Sequence, residues 1–343
     1  MRRYRTHVRL RLWRRRCVSF LALGLMAIEA LAAPAHAAIK ATITVFPVPT
    51  GGSGPLRITR GPDGNLWLTE YNANQIGRIT PTGDITEFAI PTPNSGPYGI
   101  TGGTDGNVWF TESRTEKVGR ITTAGVITEY DVTEYCYEGC YPWNMTVGPD
   151  SNMWFTQIGG PEGADGWIGR ITPSAVITQW YAYSPADITT GPDGKLWFTG
   201  IGYHSALIGN ITTDGTVTYF SNYSCFLEEE CAPVGITSGK DGALWFTTQY
   251  LSHAVVRITT TGTFTNTYAI PNDGGFIKSG PGDNLWFAQS GLSGLARMTL
   301  AGVYTGFAPL PGGPPTDLTV GPDWSSLWVT SSDGNAIVRI VPS

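Results

Sequence analysis

Apolar and polar residues alternate along this chain in runs of four or five, and each run ends in a turn sequence. The first complete group is Leu56-Arg57-Ile58-Thr59, Leu66-Trp67-Leu68-Thr69, Ile76 to Thr80 and Ile85 to Phe88. Gly61-Pro62-Asp63-Gly64-Asn65 and Pro81-Thr82-Gly83-Asp84 separate these runs. Short runs of period two between turn formers predict antiparallel strands joined by hairpins. We label the four strands A to D. The group then repeats. A Gly-Pro-Asp-Gly-Asn-Leu-Trp-like segment places its Trp at 67, 109, 154, 197, 245, 286 and 328, at spacings of 42, 45, 43, 48, 41 and 42. Each Trp is followed by an Ile-Gly-Arg-Ile-like run beginning at Ile76, Val118, Ile168, Ile208, Val255, Leu295 and Ile337.

A period of about 40 to 45 residues holding four short strands is that of a propeller blade. The last unit lacks strand D because the chain stops at Ile340-Val341-Pro342-Ser343. Ile43-Thr44-Val45-Phe46 carries the missing pattern at the other end, so the N-terminal strand is expected to complete blade seven and remove an open edge. The expectation is an all-β, seven-bladed β-propeller over residues 38–343.

Composition agrees. Only 14% of residues are charged, whereas 44 glycines and 24 prolines supply turns and 12% aromatics supply a core. Residues 1–37 are of another kind. Arg2 to Arg16 holds eight arginines and no acid, Val18 to Ala33 is apolar apart from Ser19 and Glu29, and Ala35-His36-Ala37 has the form of a cleavage site. This reads as a secretory signal peptide, with a secreted or periplasmic protein after its removal. Loss of eight arginines and one glutamate from a chain of net charge −5 leaves −12, which argues against nucleic acid and anionic membrane surfaces as partners. Four cysteines remain, in the tight pairs Cys136/Cys140 and Cys225/Cys231. In an oxidising compartment two local disulfides are the expected pairing, with a zinc site as the weaker reading.

Alternating strand directions put the A–B and C–D turns on one face and the B–C and D–A loops on the other. The A–B turns hardly vary. The B–C loops lengthen in blades three to five, and the cysteine insertions lie in D–A loops, so elaboration falls on one face, where binding is expected. At that mouth Glu70 and Glu112, in adjacent blades, are candidates to share a magnesium or calcium ion. Tyr98 and Trp143 form an aromatic pair suited to stacking a ring or sugar, and Gln157, Gln249 and Gln289 are further candidate ligand-binding residues at strand ends. His204 and His253, both on B–C loops, are the histidines left after the leader. The Asp of each A–B turn (Asp63, Asp150, Asp193, Asp323) reads as a turn residue. The arginines recurring on strand C (Arg78, Arg120, Arg170, Arg257, Arg297, Arg339) read as structural.

Trp67 to Glu70 and Trp109 to Glu112, followed by Ile-Gly-Arg-Ile-Thr and Ile-Thr-Glu-Phe segments, resemble the streptogramin B (virginiamycin B) lyases. So does Ile90-Pro91-Thr92-Pro93-Asn94-Ser95-Gly96-Pro97-Tyr98-Gly99-Ile100-Thr101, and the likeness runs through all seven units. The resemblance implies a carbon–oxygen lyase that opens cyclic depsipeptide antibiotics by elimination with magnesium, at the face of the D–A and B–C loops. It also implies a histidine after the Pro that opens strand A of the last blade, a second histidine one blade earlier, and a Glu before the Pro. Here the post-Pro positions are Leu56, Tyr98, Trp143, Ala186, Val234, Gly275 and Thr316, with Gly274 replacing the Pro of blade six. None is a base near neutral pH. No catalytic residue is thus identified by carry-over, and His253 is the one substitute base. The expected ligand is a small molecule, a peptide or a glycan bound by a monomer. The alternatives are an active lyase and an interaction propeller of NHL type.

Overall fold

The computed structural model describes residues 40–133, 139–159, 165–202, 205–220, 231–250, 253–289 and 294–342. Seven four-stranded antiparallel sheets are present, each in the order A-B-C-D, as a seven-bladed β-propeller requires. Blade one is Pro55–Arg60, Leu66–Glu70, Gln75–Ile79 and Ile85–Ala89. Blade seven takes Asp317–Val320, Leu327–Ser331 and Ala336–Pro342 from the end of the chain and Ala41–Pro47 from its beginning. Ala41 pairs with Pro342, Ile43 with Ile340 and Pro47 with Ala336, so the expected closure by the N-terminal strand is present. The A strands of neighbouring blades touch around the whole ring, including blades one and seven, and form the inner wall.

The repeated motif is the blade-to-blade glue. All seven motif tryptophans are at most 1% exposed, and each packs on the next sheet: Trp67 on Val108, Phe110 and Ile121 of blade two, and Trp328 on Leu66, Leu68 and Ile79 of blade one. A buried indole N–H needs an acceptor. In blades one to five the turn Asp provides it: Trp67 Nε1 donates to Asp63 at 3.0 Å and Trp154 to Asp150 at 2.9 Å. The Asp is therefore more than a turn former. The strand C arginine lies 5.6 Å over both Trp67 and Phe88 and donates to the Thr123 carbonyl of blade two at 2.9 Å, which bears out a structural role.

The Thr two residues after six of the seven tryptophans makes the seam. Thr111 Oγ1 accepts from the Gly99 amide at 2.7 Å and donates to the Trp143 carbonyl of the next blade at 2.6 Å. Thr69, Thr156, Thr199 and Thr247 repeat both bonds. Blade six has Ala288 in that place and loses the donor.

Candidate functional site

Because strand A is innermost, its first residues form the rim of the mouth on the face of the D–A and B–C loops. Pro97 and Pro142 lie at the starts of the A strands in blades two and three, and the residue after each brings an aromatic ring to that rim. Tyr98 and Trp143 stack with ring centroids 3.8 Å apart and planes inclined by 26°. Tyr71 meets Tyr98 edge-on at 6.4 Å, and the Arg114 guanidinium lies 4.4 Å over Tyr71. A hollow of about 520 Å³ opens beside them, lined by Tyr71, Ser113, Arg114, Tyr141, Trp143 and Ile158. Its lining is mostly apolar, from three aromatic rings and an isoleucine, with one cation among them. Such a surface suits a ring or a peptide side chain rather than a hydrated ion.

Beneath the aromatic pair sits a residue that the sequence reading did not single out. Arg57 is 2% exposed, its Nη2 donates to the Tyr98 hydroxyl at 2.7 Å, and its guanidinium lies 3.3 Å from the Phe276 ring. Burial pushes the Tyr98 phenol up, against the pull of Arg57. A file of stacked groups, Phe276–Arg57–Tyr98–Trp143, thus spans blades six, one, two and three. Asp317 and Asp187 tie the same layer to the next blades, accepting from the Ile58 amide at 3.1 Å and the Ile236 amide at 2.8 Å. Asn144 Nδ2 also donates to Asp187, whose carboxyl burial pushes up. Arg57, Asn144, Asp187, Phe276 and Asp317 each lie one residue beyond the post-Pro position. The signal was available: a strand presents alternate residues to one side, so the axial layer begins one residue further along.

The candidate acids are placed differently from the aromatics. Glu70 and Glu112 are fully buried, and each faces the strand D carboxyl of its own blade, Glu87 or Glu129, rather than the other. Burial first, then the neighbouring carboxylate, pushes both up to about 8. Glu87 accepts from the Thr50 amide and hydroxyl, both at 2.9 Å, and Glu129 from the Thr92 amide at 3.1 Å. Gln157 holds the same position in blade three and accepts from Gln179. An amide pair in place of an acid pair marks a site built for one shared hydrogen, which a protonated Glu supplies in blades one and two. These pairs do not fit a magnesium ion, because Glu70 and Glu112 are wholly buried and burial favours their neutral form, whereas magnesium takes ionised carboxylates and keeps several waters. Among the described residues no three His, Cys, Asp or Glu side chains gather as a metal site.

Gln289 is 3% exposed and accepts from the Tyr304 hydroxyl at 2.8 Å. Gln249 is half-buried, donating to the Gly274 carbonyl at 3.2 Å. It sits four residues after its Trp, whereas Glu70, Glu112, Gln157 and Gln289 sit three after theirs; Thr248 is the equivalent residue, and a one-residue step turns Gln249 to the other face. His253 Nδ1 is 2.7 Å from Asp273 Oδ1, each side chain a little over a third exposed. Asp273 also accepts from the Tyr250 amide at 3.0 Å. Thr316 donates its hydroxyl to the Pro55 carbonyl at 3.1 Å. His204, Cys136 and Cys225 lie outside the described residues, as do the side chains of Cys140 and Cys231 at the starts of two A strands.

No helix among the described residues is long and apolar enough to cross a membrane. Three solved structures resemble the whole propeller. A streptogramin B lyase matches with a TM-score of 0.76 and 30% identity over 88% of this chain and 98% of its own. Selenomethionine-substituted virginiamycin B lyase from Staphylococcus aureus matches with a TM-score of 0.78 and 31% identity over 89% of this chain and 100% of its own. A catalytically inactive histidine-to-alanine variant of the Staphylococcus aureus enzyme, solved with quinupristin, gives 0.77 and 30% over 89% and 100%. The model of the virginiamycin B lyase family matches residues 32–223 and 182–343. With this coverage, and with the repeated Trp-x-Thr seam in the same fold, the chain belongs to the virginiamycin B lyase family.

Proposed function

We propose that this chain is an exported propeller that binds a small or peptidic ligand over Tyr98 and Trp143 and lacks histidine-based elimination. The observation that carries the binding half is the Tyr98–Trp143 stack at the edge of a hollow of about 520 Å³. A relative solved with quinupristin makes a cyclic peptide-like ligand the natural first probe. Export rests on the arginine-rich leader and its Ala-His-Ala end. Against elimination stands the chemistry of the rim. Proton abstraction needs a base within about 3 Å of the proton. Thr316 occupies the position where the family resemblance places a histidine, and its hydroxyl is held among the Pro55 carbonyl and the carbonyl and hydroxyl of Thr330. The test is calorimetric titration of quinupristin into the purified protein, with chromatography of the recovered antibiotic, with and without magnesium. Saturable binding with intact antibiotic is expected. Absence of binding, or magnesium-dependent ring opening, would overturn one half of the reading or the other.

A second reading, retained lyase activity, is favoured by one observation. Asp273 orients His253 at 2.7 Å as a partner carboxylate orients a general base. His253→Ala would abolish turnover if this pair replaces the missing base.

A further inference from the structure

The face of the A–B turns reads as uniform, and in six blades it is. A residue at positive φ closes each turn: Gly64 at 77°, Gly106 at 79°, Ser151 at 65°, Gly194 at 74°, Gly242 at 73°, and Gly282 at 72° followed by Asp283 at 58°. Blade seven departs. Gly321-Pro322-Asp323-Trp324-Ser325-Ser326 is one residue longer and puts Trp324 at φ 57°. A bulky side chain in the left-handed region is an outlier, and such strain collects at functional sites. Nor does burial offset it, because Trp324 is 67% exposed while the seven motif tryptophans are at most 1%. The turn has been rebuilt around the insertion. Trp328 Nε1 donates to Ser326 Oγ at 3.1 Å, and Ser326 Oγ in turn donates to Asp323 at 2.7 Å, restoring the indole partner that the other turns supply directly.

Next to it, the Arg60 guanidinium of blade one lies 3.5 Å over one face of the Trp324 ring. At 67% exposure the rest of the ring is left to solvent. Arg60 is in no ion pair among the described residues, whereas the nearby Asp323 is held by Arg339 at 3.0 Å. Together Arg60 and Trp324 wall a hollow of about 390 Å³ whose floor is Gly61, Pro62, Gly64, Gly102, Gly103 and Pro322. The space beside Gly64 is empty, and a Cβ on Gly102 would lie 2.5 Å from the Arg60 carbonyl, so the floor is only glycine backbone and proline rings.

We propose that this hollow is a second binding site, for a carboxylate-bearing sugar ring. An exposed indole offers a flat apolar platform to the C–H face of a pyranose. Pre-stacked Arg60 presents a planar fork to a carboxylate, and having no acid partner it leaves that charge for the ligand. Bare Gly and Pro backbone allows ring hydroxyls to approach closely. A neutral sugar would use the platform alone; an acidic one uses both parts.

The test is titration of trigalacturonate and of neutral maltotriose into the full protein, followed by tryptophan fluorescence, with Trp324→Gly and Arg60→Gln beside the parent. Saturable quenching by trigalacturonate is expected, at least tenfold tighter than by maltotriose, a factor worth about 1.4 kcal/mol. Arg60→Gln should bring the two sugars to equal affinity, and Trp324→Gly should abolish quenching. The melting temperature of Trp324→Gly should hold or rise, because glycine relieves the positive φ. Equal affinity of the parent for both sugars, no quenching at millimolar sugar, or quenching that survives Trp324→Gly would overturn the proposal. So would self-association that Trp324→Gly abolishes, which would assign the platform to a second copy of the chain.

Discussion

Two sides of one face carry different chemistry on the same scaffold. On blades one to three the rim is aromatic and fixed from below, with Trp143 on Tyr98, Tyr98 on Arg57 and a hollow beside them. On blades five to seven, the last two of which are where the resemblance places the histidines and a glutamate, the rim carries a half-exposed His–Asp pair, a glycine and a threonine bonded to a carbonyl. Strand pairing and Trp packing are the same on both sides. The difference teaches that the repeat maintains the ring and the rim residue of each strand A decides what a blade can do. Rim side chains can differ between blades without cost to the ring, because the seam takes only the backbone carbonyls of those residues.

Protonation separates the two sides most strongly. Glu70 and Glu112 belong to blades one and two, and both are held near 8 against about 4.5 unfolded. A raised acid stabilises the fold fully below the unfolded value and loses that contribution as pH rises towards the folded one. Between 4.5 and 8 each glutamate should therefore remove about 1.4 kcal/mol of stability per pH unit. Melting curves from pH 5 to 9 should fall steeply, and Glu70→Gln with Glu112→Gln should flatten them. A parent curve flat over that range would remove the shared-proton assignment.

Arg57→Met comes next. It cuts the file between Phe276 and Tyr98 and strands the buried phenol, so chemical denaturation should show a loss of roughly 1–3 kcal/mol. Weaker quinupristin binding should accompany it if Arg57 positions the aromatic pair. An unchanged affinity in a folded variant would separate Arg57 from the site.

Trp143→Ala and Tyr98→Ala should each weaken quinupristin binding by about tenfold, the scale of a lost aromatic anchor. His253→Ala should leave affinity within about twofold, and calorimetry on the three variants distinguishes the sides directly. The smallest effect is expected for Asp273→Asn. Half-exposed pairs contribute under about 1 kcal/mol, so its melting temperature should scarcely move. A large drop would give the His253 side a structural or catalytic weight it otherwise lacks.

The sequence made the ring legible because every blade spends its information on the same contacts. The Trp spacing marks seven sheets, and Ile43 to Phe46 marks the closing strand as plainly as any internal repeat. Tyr98 and Trp143 were also readable as neighbours, since both follow the Pro that starts strand A. The carboxyls were harder. Glu70 at a strand end looks like a rim residue, but it is fully buried and faces Glu87, contributed by the outermost strand of the same sheet. Gln249 shows how fragile register is, for one residue after Thr248 faces the other way. Arg57 was hidden because its partners, Phe276 and Tyr98, come from different blades and no local pattern joins them.

Hydrogen exchange of the protein with and without saturating quinupristin tests the division most directly. Protection is expected at residues 69–72, 96–100 and 141–145, around the aromatic rim. Protection confined to 253–255 and 271–275, around His253 and Asp273, would contradict it.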